Sequence, residues 1–164
     1  MDGKKTIIAV YVENQAGVLT RVTGMFTRRG FNIDALTVGE TESKEYSRIT
    51  IYMDGDASEQ MINQLYKLVV VKKVEILQED SIKRELMMIK VRNDSKNRSE
   101  IMTAVDVFRA NVIDYSVESM CIEVTGAPSK IDAFVKLMEP FGILEMCRTG
   151  IVALDRGTKT LLAE

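Results

Sequence analysis

Apolar positions along this chain alternate between a strand rhythm and a helix rhythm. Thr6-Ile7-Ile8-Ala9-Val10-Tyr11-Val12 is a continuous apolar, β-branched run, the pattern of a central strand. Val18, Val22, Met25 and Phe26 then recur at helical spacing. Arg28-Arg29-Gly30 reads as the end of that helix, with cations at the negative dipole end and a glycine able to take the left-handed cap. Asn32 to Val38 reads as a second strand. Around residue 50, Arg48, Thr50 and Tyr52 alternate with Ile49, Ile51 and Met53, a strand buried on one face. Ser58 is a plausible N-cap for a helix carrying Met61, Ile62, Leu65 and Leu68, and Val70 to Leu77 closes the set as a strand.

The order β-α-β-β-α-β then returns. Glu85 to Val91 is a strand, and Ile101, Val105 and Phe108 mark a helix. Val112 to Val117 and Ser119 to Thr125 are strands. Pro128 opens a helix with Ile131, Phe134, Val135 and Met138 on one face, and Pro140 stops it. Ile143 to Thr149 is the last strand, followed by a tail from Gly150. The pattern predicts an α+β protein of two ferredoxin-like βαββαβ units, residues 1–80 and 81–164. In each unit two helices cover one sheet face, so the other face needs a partner or water.

Composition narrows the functions open to such a fold. The 164 residues are 46% hydrophobic, enough to bury a core, and the net charge of -2 is spread over interspersed charges. That argues against a nucleic-acid or anionic-membrane surface, which needs a basic patch. No apolar run approaches the ~20 residues of a membrane span. Lys4-Lys5 and the run after it superficially resemble a signal peptide, but the run meets Glu13 without a small-residue cleavage site. A cytoplasmic protein is expected. There is no histidine, which excludes Ser-His-Asp and Cys-His catalysis and histidine–metal sites within the chain. Cys121 and Cys147 sit in apolar sequence and read as buried free thiols.

The stretch with most chemistry is Glu13-Asn14-Gln15-Ala16-Gly17-Val18-Leu19, between the first strand and the first helix. Such a turn aims backbone N–H groups and a helix dipole at one spot, where a small carboxylate can sit. Gly17 lets it come close to the backbone. Asn32, just after the glycine-terminated helix, reads equally as a turn residue, and Leu19 and Ile33 read equally as core. Glu13 and Asp34 are the only carboxylates near this stretch that a catalytic pair could use, and no substrate or cofactor motif accompanies them. Arg48, on a strand among apolar neighbours, is either an exposed residue or a partner contact.

The first unit resembles an ACT domain, a small-molecule sensing module, through Glu13 to Leu19, the helix to Arg29, and Gly30-Phe31-Asn32-Ile33-Asp34-Ala35-Leu36. The resemblance extends over nearly the whole chain. Ser47-Arg48-Ile49-Thr50, Lys67-Leu68-Val69, Arg84 to Val91, Phe108-Arg109-Ala110 and Gly150 to Gly157 are similar to the small, regulatory subunit of acetolactate (acetohydroxyacid) synthase. That resemblance implies a chain with no catalytic residues and no cofactor of its own. It implies a catalytic partner subunit carrying thiamine diphosphate, FAD and magnesium, which the small subunit activates. It also implies feedback inhibition by valine or another branched-chain amino acid, and ACT domains paired edge to edge in a homodimer with the effector at the interface. The implied site is Asn14, Gly17, Val18 and Leu19 of one chain with Asn32 and Ile33 of its neighbour. The second unit is then the family's C-terminal domain, with a share in dimerisation or in passing on the effector signal.

The residues suit such a ligand. Backbone N–H groups near Gly17 and Val18 can hold a carboxylate, the amide oxygens of Asn14 and Asn32 can accept from an ammonium, and Leu19 and Ile33 can line an apolar slot. Such a slot separates valine from leucine or isoleucine by only ~1–3 kcal/mol per methylene. Two other readings are a stand-alone ACT-type amino-acid sensor and an RNA-binding module of RRM type, which shares the βαββαβ order. For the second, the first and third strands offer only Tyr11, Tyr46 and Tyr52, without the glycine-aromatic motif.

Overall fold

The computed structural model describes residues 4–162, which form two compact units. One unit comprises 4–82 together with 151–162, and the other is Lys83–Gly150. The strand and helix order matches the sequence pattern in both, apart from a short unpredicted strand in the tail, Val152–Leu154, and the grouping of the tail differs from it. Residues from Ile151 onward were expected with the second unit and instead pack with the first.

In the first unit β1 (Lys5–Glu13), α1 (Val18–Arg28), β2 (Ile33–Glu40), β3 (Tyr46–Asp54), α2 (Glu59–Tyr66) and β4 (Val71–Ile76) follow one another. The sheet is antiparallel in the order β2-β3-β1-β4. Ile8, Val10 and Val12 of β1 point into the helices, against Val22, Phe26, Met61 and Leu65. The helix ends follow the sequence cues. Ser58 accepts a hydrogen bond from the Met61 N–H at 3.2 Å, and Gly30 has φ 71° after α1.

The opposite sheet face is dry as well. Ile7, Ala9 and Tyr11 pack with Leu77 and with Ile151, Ala153 and Leu161 of the tail. This is why β1 is apolar at nearly every position rather than at every second one. Tyr46 stacks on Tyr11 with ring centroids 4.8 Å apart, and Tyr11 is buried in the same cluster. An RRM stacks bases on exposed aromatics of this face, so the arrangement speaks against that reading.

The second unit runs β5 (Ile82–Arg92), α3 (Arg98–Val107), β6 (Asn111–Tyr115), β7 (Ser119–Gly126), α4 (Pro128–Met138) and β8 (Ile143–Arg148), with sheet neighbours in the order β6-β7-β5-β8. Pro140 falls in a 3-10 turn, Glu139–Phe141, directly after α4. Met87, Ile89 and Val91 meet Ile101, Val105, Ile131 and Phe134 in the core. Glu85 is buried there and paired with Arg148, which also reaches Asp132 at 2.8 Å. The cysteines are not buried as expected: Cys147 is exposed and Cys121 half-buried. Both lie on the sheet face turned away from the helices, opposite Met88 and Lys90 of β5. Apolar flanking sequence does not reveal which face a strand residue takes.

Candidate functional site

The β1–α1 turn is built to leave donors free. Gly17 occupies the N-cap position with φ 81°, a left-handed conformation that disfavours any side chain, and no side chain caps the helix. The Val18 N–H reaches back to the Gln15 carbonyl at 3.4 Å. Among the described residues, the Leu19 and Thr20 N–H groups have no acceptor. A Cβ placed on Gly17 would meet no heavy atom within 4 Å, so the space in front of the helix end is open. Two unpaired N–H groups at a positive dipole end, beside open space, fit a carboxylate.

The remaining turn residues are fixed by neighbours. Asn14 donates its backbone N–H to the Glu45 carbonyl at 2.7 Å and its side-chain amide to the Lys44 carbonyl at 3.1 Å, which leaves the amide oxygen available as an acceptor. Val18 is buried in the core, so only its backbone faces the open space. Leu19 is 41% exposed, an apolar side chain beside the free donors. Glu13 is paired with Lys72 and accepts from Gln15. The hydrogen bond from Lys72 holds its carboxyl below the ordinary range.

Asn32 and Ile33 lie elsewhere. β2 runs alongside β3 with Ile33 opposite Met53, and Met53 lies opposite Thr6 of β1. The turn begins at the other end of β1, where Glu13 pairs with Tyr46. At ~3.3 Å per strand residue, the two groups sit at opposite ends of the sheet, roughly 23 Å apart. Within one chain the structure therefore unites Asn14, Gly17, Val18 and Leu19, and separates them from Asn32 and Ile33. The Asn32 amide donates to Asp34 at 3.3 Å, and Asp34 is paired with Lys5 at 2.7 Å. Hydrogen bonds that it donates to Asp34 and Asp54 hold the Lys5 ammonium above its ordinary pKa. Glu13 and Asp34 are thus at opposite ends of the sheet, each held by a lysine, and form no catalytic pair.

Arg48 is half-buried rather than exposed. Its guanidinium donates to the Ala153 carbonyl at 2.8 Å and so clamps the tail onto the sheet. No pattern in the tail's sequence announced this role. Among the described residues no group of three or more His, Cys, Asp or Glu is placed to hold a metal ion, and no helix is long and apolar enough to cross a membrane.

Comparison with known proteins accounts for both units. Residues 8–73 match the family model for the AHAS small subunit-like ACT domain, and residues 84–157 match that for the small subunit of acetolactate synthase. The probable acetolactate synthase small subunit of Archaeoglobus fulgidus is 50% identical over 157 residues, covering 94% of this chain and 99% of that protein. The Mycolicibacterium smegmatis small subunit is 47% identical over 155 residues, covering 93% and 91%. The crystal structure of the Thermotoga maritima small subunit superposes with a TM-score of 0.89 at 41% identity, covering 95% and 99%. These relatives carry the name of the synthase's small subunit, and this chain belongs to the acetolactate synthase small-subunit family.

Proposed function

We propose that this chain is the regulatory subunit of an acetolactate synthase in branched-chain amino-acid biosynthesis. It binds and activates a thiamine-diphosphate-dependent catalytic subunit in the cytoplasm, and it passes on feedback inhibition by valine or another branched-chain amino acid. The thiamine diphosphate, FAD and magnesium belong to that partner. Residues 1–80 carry effector binding and dimerisation, and residues 81–164 share in dimerisation or in transmitting the effector signal.

One observation carries this reading: the two halves of the site lie at opposite ends of one sheet. A second copy brings them together. β2 is at the end of the sheet order and, among the described residues, pairs with β3 alone. When two such edges pair antiparallel about a two-fold axis, the Ile33 end of one strand meets the Glu40 end of the other. Glu40 lies opposite Ser47, which lies opposite Val12, beside the β1–α1 turn. Asn32 and Ile33 of one chain then approach Gly17 and Leu19 of its partner. The effector's carboxylate takes the free N–H groups of the turn, its ammonium the amide oxygens of Asn14 and Asn32, and its side chain the slot between Leu19 and Ile33. A ligand bridging two chains shifts the dimer only if it binds one geometry more tightly than another, and that difference is what the catalytic subunit senses.

The test uses the enzyme reconstituted with its catalytic subunit. Gly17→Asp places a carboxylate where the effector's own would sit, and Ile33→Asp places one in the slot. Each variant alone is expected to activate the enzyme and to lose valine inhibition. A refolded equal mixture of the two contains dimers with one intact site and is expected to regain part of the inhibition. Persisting inhibition in Gly17→Asp refutes the turn as the site. No recovery in the mixture refutes the shared site.

A further inference from the structure

The tail of the first unit does not lie flush on the sheet. Beyond the contacts of Ile151, Ala153 and Leu161 it arches over a cavity of about 510 Å³, within the first unit and on the sheet face away from the helices. Apolar surface from Tyr11, Leu77, Leu154 and Leu161 lines it, together with one guanidinium, that of Arg48. The volume falls in the range of small-molecule sites, ~300–1,000 Å³.

Arg48 is unusual in its pairing. It is half-buried and carries five donors, yet its one hydrogen bond is to the neutral Ala153 carbonyl. No described carboxylate lies within ion-pair distance of it. Of the acids that line the cavity, Lys159 holds Glu75 at 2.5 Å and Asp155 at 2.9 Å, Asp155 also accepts the Gln78 N–H, and Glu40 and Glu42 are exposed. Burial pushes the Arg48 pKa down, against the pull of Asp155 and Glu75. A partly desolvated cation with spare donors, facing a cavity, calls for an anion. Glu40, Glu42, Glu75 and Asp155 line the same cavity and repel a second negative charge, so a monoanion suits it better than a phosphate.

We propose that the cavity beneath the C-terminal tail is a second ligand site, separate from the β1–α1 turn, that takes a small carboxylate on a short apolar body. The carboxylate forks onto the Arg48 guanidinium, which keeps its bond to Ala153. The apolar body rests against Tyr11, Leu77 and Leu161. The ligand touches both the sheet and the tail, so binding holds the tail down. None of these residues belongs to the effector turn, and the proposal stands whether or not that turn binds an amino acid.

The experiment uses the full chain, with leucine and isoleucine methyls labelled for NMR. The probes are 3-methylbutanoate, L-leucine, the uncharged 3-methylbutan-1-ol and inorganic phosphate. Saturable shifts of the Leu77, Leu161 and Ile151 methyls are expected with 3-methylbutanoate, and with L-leucine if the site admits an ammonium. The alcohol and phosphate are expected to bind at least tenfold more weakly. Arg48→Gln keeps a donor for Ala153 and removes the charge, so it is expected to weaken the carboxylate by about tenfold or more. Gly17→Asp should leave these shifts unchanged. The proposal is overturned if neither carboxylate moves these methyls, if the alcohol binds as well as the acid, or if Arg48→Gln binds the acid like the parent. The acid-against-alcohol comparison needs no variant and decides the matter even if Arg48→Gln does not fold.

Discussion

The two units share one strand order and differ at the same two places, the turn after the first strand and the sheet face away from the helices. In the second unit the turn before α3 closes on itself. Asp94 accepts the Lys96 N–H through its side chain at 3.0 Å, and its carbonyl accepts from Asn97 and Arg98. In the first unit the equivalent turn carries Gly17 at φ 81°, and neither helix has a side-chain cap. The faces differ likewise. Leu86 and Met88 of β5 remain 37% and 41% exposed, whereas Ile7, Ala9 and Tyr11 of β1 lie under the tail. Both helix ends leave their second and third N–H groups without an acceptor among the described residues, Leu19 and Thr20 in one and Ser99 and Glu100 in the other, so the difference between the turns lies in the glycine and the open space beside it.

The covered face gives the sharpest way to break this comparison. Leu161→Ala is expected to lower the unfolding free energy by ~2 kcal/mol, the low end for a buried leucine, because the cavity already deprives it of some neighbours. Met88→Ala, on the half-exposed face of the second unit, is expected to cost less than about 1 kcal/mol. Urea melts of both variants measure the difference. Equal costs would mean that the tail adds nothing to the first unit's stability.

The turns give the next. Asp94→Ala removes the side-chain acceptor of the second turn and is expected to cost ~1 kcal/mol, with valine inhibition of the reconstituted enzyme unchanged. A loss of inhibition in this variant would mean that both turns serve the effector.

Much of this contrast was legible in the sequence, and the reasons can be named. Period-2 and period-3.6 spacing located the helices and the strands of both βαββαβ sets, because most of them bury one stripe, and missed the short strand Val152–Leu154 in the tail. The continuous run through β1 read as a central strand, and what covers its second face stayed open between a partner and water. The covering segment has only Ile151, Ala153 and Leu161 as anchors, separated by the polar run 155–160, and so carries no periodicity to read. Arg48 looked ambiguous for the same reason, since its acceptor is a backbone carbonyl 105 residues away. The glycine turn was visible as Asn14 and Gly17. That Asn32 and Ile33 stand at the far end of the sheet follows from strand order and register, which local spacing does not encode.

The smallest effect concerns the ion pair at the edge of the open turn. Glu13 titrates below an ordinary glutamate, first because Lys72 donates a hydrogen bond to its carboxylate, with a further donor from Gln15. Its folded pKa lies below its unfolded one. The stabilisation is therefore present above the ordinary glutamate range and is lost as pH falls through the folded pKa. Lys72→Met is expected to return the Glu13 pKa toward the usual value, read from its carboxylate carbon shift in an NMR titration. The same variant should leave the second unit, which contains neither Glu13 nor Lys72, as it was. If Glu13 kept its low pKa without Lys72, the open helix end rather than the lysine would be its main stabiliser, and the turn would already be attracting a carboxylate from its own chain.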